Sequence, residues 1–185
     1  TKEYLQKFQP DAVILATGAI PKKIPFTAAN GAPNSVTGFD VLLEQAQIGQ
    51  RVVVIGGRYI GMEVAAKLGA QGKHVSVVDM TEIGKDTNPR ILGIYRNKMV
   101  EHDVHLYPNC PVLFINERGV SISHLNSLLT LPADTVVFAM GTAPVQELVP
   151  VLEELHIPYY TAGDCRRSAD ALYAIRDGAE VGRQI

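Results

Sequence analysis

Arg51-Val52-Val53-Val54-Ile55-Gly56-Gly57-Arg58-Tyr59-Ile60-Gly61 is the stretch on which the fold turns. Val52–Ile55 is an unbroken β-branched run, which predicts a strand covered on both faces, because such a strand has no solvent side that needs polar residues. The glycines then open an amphipathic run from Met62 to Ala70, a predicted helix that Gly72 ends. His74-Val75-Ser76-Val77-Val78 is a second strand and closes on Asp79. Strand, helix and strand make one complete β-α-β unit, and parallel pairing of the two strands follows from the crossover between them.

The loop inside this unit carries the chemistry. In the Gly-x-Gly-x-x-Gly pattern the first glycine makes the turn from strand to helix, the second gives a pyrophosphate room, and the third lets the helix pack on the strand. Gly56 and Gly61 take the first and third places, and Arg58 stands at the second. A helix N-terminus offers unpaired N–H groups and about half a positive charge to a dinucleotide's phosphates. Asp79, at the tip of the next strand, is placed to accept both adenosine-ribose hydroxyls and to repel a 2'-phosphate, which favours NADH over NADPH. Three readings of Arg58 stand: its side chain pairs with the pyrophosphate, it lies across the adenine, or it obstructs the pocket. The first is favoured, since the steric demand at this place comes from Cβ and not from the end of a flexible side chain.

Outward from this unit, helical spacing returns at Ile91, Ile94, Tyr95, Lys98 and Met99, and Val104–Tyr107 reads as a third parallel strand. Val112–Ile115, Val120–Ser123 and Leu128–Leu131 predict an antiparallel meander, with Glu117-Arg118-Gly119 as a turn. Upstream, Asp11–Ala16 is an apolar run stopped by Thr17-Gly18, read as a strand buried on both faces. Pro21, Pro25, Gly31 and Pro33 mark an extended connector, and Phe39–Leu43 a short helix capped by Asp40. Downstream, Asp134–Gly141 resembles the opening strand, Ile157–Asp164 is a strand running into a polar tip, and Ser168–Ile185 is a final helix carried by Ala171, Leu172, Ile175 and Val181.

Composition narrows the function classes. The 185 residues are 46% hydrophobic and 19% charged, the balance of an ordinary globular chain, and the net charge of -2 comes without basic clusters. Nucleic acid and anionic membranes are therefore not expected partners. No apolar run approaches the ~20 residues of a membrane span, and the first residues lack the order of a signal peptide, so a cytoplasmic protein is expected. Cys110 and Cys165 are far apart and belong to no Cys-x-x-Cys pair, which reads as two reduced thiols. The five histidines, His74, His102, His105, His124 and His156, show no helical i, i+4 pairing, and a metal site is not expected. No Ser/His/Asp set or carboxylate pair asks for a catalytic role of its own.

Ala16-Thr17-Gly18, the Gly56–Gly61 loop, Asp79, Ala139-Met140-Gly141 and Gly163-Asp164-Cys165, in this order, resemble the landmarks of flavoproteins with two dinucleotide-binding domains. Within that group the chain resembles the C-terminal part of NADH:flavin oxidoreductases of the 2,4-dienoyl-CoA reductase and trimethylamine dehydrogenase branch, in which an old-yellow-enzyme-type barrel comes first. The resemblance implies an α/β fold: a Rossmann-like parallel sheet with helices on one side and a three-stranded antiparallel meander on the other, plus remnants of a split FAD domain. It implies residues 1–40 as FAD-domain remnant and connector, 41–141 as the NAD(H)-binding domain, and 142–185 as the C-terminal FAD remnant. No second glycine fingerprint precedes Ala16, so the first β-α-β unit of the FAD domain is expected to be missing.

The same resemblance assigns Gly56, Gly57, Arg58, Tyr59, Ile60, Gly61, Glu63, Asp79, Met140 and Gly141 to NAD, with Tyr59 as a lid over the nicotinamide and Glu63 orienting its carboxamide. It assigns Ala16, Thr17, Gly18, Gly163 and Asp164 to FAD, in a latent role. The implied cofactors are NAD(H) and FAD, with FMN and an iron–sulfur cluster belonging to the absent N-terminal part. The implied activity is hydride delivery from NADH to FAD in an intact enoate or dienoyl-CoA reductase, with the isolated chain catalytically incomplete. The partners are then NADH, the missing FAD segment and the barrel, and apolar edges left uncovered predict a homodimer. The competing expectation is a module that holds an adenine nucleotide structurally or mediates subunit contacts, without hydride transfer.

Overall fold

The computed structural model of the chain describes residues 1–22 and 31–185. Two compact units emerge, one of Thr1–Lys22 with Thr142–Ile185 and one of Lys23–Gly141. The smaller unit opens the chain with helix α1 (Lys2–Phe8), strand β1 (Val13–Leu15) and strand β2 (Ala19–Pro21). α1 is unforeseen by the sequence reading. Thr1 caps it by accepting the Tyr4 N–H, and only Leu5 is buried, so the helix lacks the long apolar stripe that would announce it.

The larger unit holds β3 (Asn34–Thr37), α2 (Gly38–Leu42), β4 (Arg51–Ile55), α3 (Tyr59–Ala70), β5 (His74–Val78), α4 (Pro89–Glu101) and β6 (His105–Tyr107). The meander β7 (Val112–Asn116), β8 (Gly119–His124) and β9 (Ser127–Leu131) follows, and then β10 (Thr135–Phe138). The chain returns to the smaller unit with β11 (Thr142–Pro144), α5 (Val149–Glu154), β12 (Tyr159–Thr161), a 3-10 turn at Gly163–Cys165 and α6 (Ala171–Val181).

Five parallel strands in the order β3-β10-β4-β5-β6 form the main sheet. Ile55 pairs with both Phe138 and Val78, and Val78 with Tyr107, so the carboxyl ends of four strands are level. The side chains of β4 part in strict alternation. Val52 and Val54 join Met62, Ala65, Leu68 and Met99 under the helices, while Val53 and Ile55 join Ile115, Val120 and Ile122 under the meander. β10 does the same, with Val137 on the helix side and Val136 and Phe138 on the meander side. Two covered faces explain why these strands read as continuous apolar runs. Each fully buried valine contributes roughly 1.5–3 kcal/mol through its burial. The α/β class with helices on one face and a meander on the other is borne out.

Several expectations need correction. The stretch read as an extended connector from Pro21 onward is not all connector: Pro21 ends β2, and Asn34–Thr37 form the edge strand β3, paired with β10 and therefore invisible to local periodicity. Pro25 and its neighbours in 23–30 lie outside the described residues. Asp40 caps α2 together with Thr37, which holds the N-cap place: Thr37 accepts the Asp40 N–H, and the Asp40 carboxylate accepts the Thr37 N–H at 2.8 Å in a reciprocal capping box.

α3 starts at Tyr59, three residues before the amphipathic run. β1 is not buried on both faces: among the described residues it has one parallel neighbour, β12, and Ile14 is 49% exposed. α6 keeps its predicted place, yet Leu172 and Ile175 are exposed and Val181 alone of its apolar residues is buried. α5 was not foreseen either. It is short, with Pro150 in its first turn, and Leu152 anchors it in a small core with Leu5, Leu15 and Cys165. Cys110 and Cys165 are free and buried.

Candidate functional site at the carboxyl ends of β4, β5 and β10

The sheet order creates the site. β4 leads outward through α3 to β5 on one side, while β10 lies on its other side, so the connections diverge between β4 and β10. At such a switch point the loops leave in opposite directions and open a crevice at the strands' carboxyl ends. Gly56–Gly61 follows β4 there, and Ala139-Met140-Gly141 follows β10. The ladder extends past the strand ends: Gly56 N–H donates to Val78 O at 2.8 Å and Ala139 N–H to Ile55 O at 2.8 Å.

Both fingerprint glycines are sterically required. Gly56 has φ +106, and a Cβ on it would stand 2.4 Å from the Ala139 carbonyl oxygen. A Cβ on Gly61 would stand 1.8 Å from the Gly56 carbonyl oxygen, which is the close packing of helix on turn that the third glycine provides. Gly57 packs under Ile83, and Ile60 lies over Gly38 and against the core beneath the helices. Arg58, at φ -86 and ψ -162, has extended backbone that any residue adopts, so the backbone at this place does not need a glycine.

α3 begins without help. The Arg58 side chain at its N-cap makes no capping hydrogen bond and its first turn holds no acidic residue, so among the described residues its leading N–H groups and the positive end of its dipole remain for an anion. The Arg58 guanidinium pairs with the Asp86 carboxylate in an exposed ion pair. Gly57 O accepts the Gly84 N–H at 2.8 Å, and the Tyr59 hydroxyl accepts the Asn88 N–H at 3.2 Å. Residues 57, 58 and 59 are thus tied in turn to 84, 86 and 88 of the loop between β5 and α4.

Asp79 closes the arrangement. Its Oδ2 accepts the Gly57 N–H at 2.7 Å, and its Oδ1 accepts the Thr81 N–H at 2.7 Å and the Thr81 hydroxyl at 2.9 Å. Glu63 is exposed one turn into α3, in an open groove of about 440 Å³ shared with Tyr95, Lys98 and His102. Burial, reinforced by the Glu63 charge, pushes the Tyr95 hydroxyl above its ordinary value. Met140 is partly exposed and Gly141 takes φ +85.

The other predicted residues meet in the smaller unit. β1 and β12 run parallel with Leu15 opposite Thr161, so Ala16-Thr17-Gly18 and Gly163-Asp164 leave from adjacent carboxyl ends. Thr17 donates its hydroxyl to Val145 O, and Gly18 O accepts the Val145 N–H at 2.9 Å. Gly163 donates its N–H to Asp177 at 3.2 Å, and Asp164 accepts the Ala169 N–H at 3.2 Å.

These positions fit a dinucleotide in the larger unit. The glycine cradle is one that a Cβ would fill, the helix end is uncapped, and a carboxylate stands one strand away. In the smaller unit the residues expected for FAD leave from two adjacent strand ends, with the Gly163 N–H already given to Asp177. Sequence reasoning missed the tethering loop, namely Thr81, Gly84, Asp86 and Asn88. Asp79-Met80-Thr81 was a readable signal, because threonine two residues beyond an aspartate is a common partner of its carboxylate.

Comparison with known proteins places this geometry. The family model described as pyridine nucleotide-disulphide oxidoreductase matches residues 2–184. Bilirubin reductase of Mediterraneibacter gnavus is 33% identical over 91% of this chain and 26% of its own length. NADH oxidase of Thermoanaerobacter brockii is 30% identical over 99% of the chain and 29% of its own length. Among solved structures, a 2-naphthoyl-CoA reductase complex superposes with TM-score 0.85 at 27% identity, covering all of this chain and 28% of that one. Histamine dehydrogenase from Rhizobium sp., at 18% identity and TM-score 0.87, shares the fold over all of this chain and 30% of its own. The chain spans between a quarter and a third of the length of these relatives. They bear out the resemblance read from the ordered landmarks, and with it NAD(H) and FAD as the cofactors.

Proposed function

The chain belongs to the pyridine nucleotide-disulphide oxidoreductase family, and on that premise we propose that it is the NADH-binding part of a flavin-dependent oxidoreductase, delivering hydride from NADH to FAD within a longer enzyme. One observation carries this reading: an uncapped helix end, closed on Gly56 and Gly61 at the sheet's switch point, with Asp79 bonded to the same loop. The α3 N-terminus receives the pyrophosphate, and the Arg58 guanidinium, held at the surface by Asp86, is within the loop to join it. Asp79 accepts from the adenosine ribose and repels a 2'-phosphate, so NADH is preferred to NADPH. Met140 and Gly141 line the way from the glycine loop across the switch point, and Tyr59 and Glu63 serve the nicotinamide end. Reduced nicotinamide and flavin together supply the hydride transfer. The chain's own part is to bind, orient and screen.

The acceptor class proposed for the whole enzyme is an activated double bond, an enoate or dienoyl-CoA type, in keeping with the names of cinnamate reductase and 2-naphthoyl-CoA reductase among its relatives. The 16–18 and 163–164 segments are then the FAD-side residues, and the chain by itself binds NADH without oxidising it. The exposed Ile14, Leu172 and Ile175 support self-association of the chain in isolation, and sedimentation as a monomer at high concentration would count against it.

Calorimetric titration with NADH, NADPH and ADP tests the main reading. Micromolar NADH binding, weaker ADP and NADPH binding, and at least tenfold loss on Asp79→Ala are the expected results. Equal affinity for ADP and NADH would instead favour a structural adenine-nucleotide module. Among the described residues no helix is long and apolar enough to cross a membrane.

A further inference from the structure

Asp79 is largely engaged before any nucleotide arrives. An ionised carboxylate has about four lone-pair sites and only accepts. Two of those at Oδ1 go to the Thr81 N–H (2.7 Å) and hydroxyl (2.9 Å), and one at Oδ2 goes to the Gly57 N–H (2.7 Å). A ribose diol brings two donors, and one site at Oδ2 is left to meet them. The expectation that Asp79 accepts both hydroxyls therefore does not match the hydrogen bonds present.

Thr81 supplies what is missing. Its hydroxyl has a single proton, and that proton is given to Asp79 Oδ1, which leaves the oxygen's lone pairs to accept. The frame around it is fixed. The Asp79 carbonyl accepts the Cys110 N–H at 2.8 Å and the Thr81 carbonyl accepts the Asn109 N–H at 3.1 Å, while the Asn109 side chain donates to Glu82 at 2.6 Å. Residues 79–82 are thus pinned along the segment that follows β6, and the part-buried Thr81 hydroxyl sits on a braced loop beside the one carboxylate site left open among the described residues.

We propose that Thr81 is the second ribose-binding residue: Asp79 Oδ2 accepts one adenosine-ribose hydroxyl and Thr81 Oγ1 accepts the other. This rests on the nucleotide-binding reading above and adds a specificity-determining residue to it. A 2'-phosphate has no proton to give at neutral pH beyond a fraction of its second ionisation, so it would meet a negative carboxylate and a hydroxyl that has only lone pairs to show. Two acceptors in place of one thus strengthen the preference for an unphosphorylated ribose.

The experiment is a set of calorimetric titrations of the wild-type chain, Thr81→Val, Thr81→Ser and Asp79→Asn with NADH, ADP, 2'-deoxy-ADP and 3'-deoxy-ADP. Thr81→Val is expected to weaken NADH and ADP about tenfold, with Thr81→Ser within about threefold of wild type. For one of the two deoxynucleotides the Thr81→Val loss should vanish, and that same analogue should still lose affinity on Asp79→Asn. The proposal is overturned if Thr81→Val leaves every affinity unchanged. It is overturned equally if the analogue insensitive to Thr81→Val is insensitive to Asp79→Asn as well, since Thr81 would then act only by bracing Asp79. Failure of the wild-type chain to bind NADH or ADP would instead remove the nucleotide-binding reading itself, an outcome distinct from both.

Discussion

Two strand ends in this chain share one local plan and meet different fates. β10 runs into Ala139-Met140-Gly141 and β1 into Ala16-Thr17-Gly18, and both glycines take positive φ, +85 and +74, with open space where a Cβ would stand. Every residue of β10 is buried, because it lies between β3 and β4 with helices over one face and the meander over the other. Among the described residues β1 has one neighbour, and it buries Leu15 alone of its three residues. An apolar run thus gives the element, and the number of strands and layers around it gives the burial.

The sharpest way to break this comparison is at the glycines. Gly61→Ala drives a methyl into the Gly56 carbonyl, and we expect at least about 3 kcal/mol of destabilisation with loss of NADH binding, read by urea denaturation and titration. Gly18→Ala meets no neighbour and keeps only the left-handed backbone penalty, about 1 kcal/mol. Similar losses from the two would show that the glycine loop has no steric demand beyond its backbone.

Core truncation sharpens the same point. Val137→Ala, at a fully buried position of β10, should lose about 2 kcal/mol, whereas Ile14→Ala on the half-exposed β1 should lose under about 1 kcal/mol, both from denaturation midpoints. Arg58→Gly probes the loop's one departure from pattern. Its extended backbone and surface ion pair predict a change in NADH affinity within about tenfold, roughly 1.4 kcal/mol, and a much larger gain would mean that the arginine obstructs the pocket.

The smallest expected effect lies at the opposite end of the main sheet. The Arg51 guanidinium, through hydrogen bonds to the Asp134 carboxylate, lowers that group from 3.8 to about 2. The folded form therefore holds fewer protons than the unfolded one between these values, so the pair's stabilisation is whole above about pH 4 and is lost as pH falls towards 2. Because the pair is exposed, the contribution is small. Asp134→Asn should flatten the fall in urea midpoint over that window relative to wild type, and an unchanged slope would show the pair to be inert.

The central strands of the main sheet were legible because they are covered by layers on both faces, and Val52–Ile55 and Val136–Phe138 announce themselves as apolar runs, with Val75, Val77 and Val78 interrupted only by Ser76. The glycine loop and Asp79 were legible because their spacing within one β-α-β unit is itself the geometry of a phosphate cradle. β3 was not, since its pairing with β10 joins residues a hundred positions apart in effect and leaves no period of its own. Nor was the exposure of Ile14, Leu172 and Ile175, which depends on neighbours rather than on the residues. The sequence by itself determined the β-α-β unit, its helix and the carboxylate at its far strand, because backbone sterics and hydrophobic period act locally. Only the tertiary structure decided that loop 79–88 is tied to residues 57–59, because hydrogen bonds between distant loops are set by the sheet that brings their ends together.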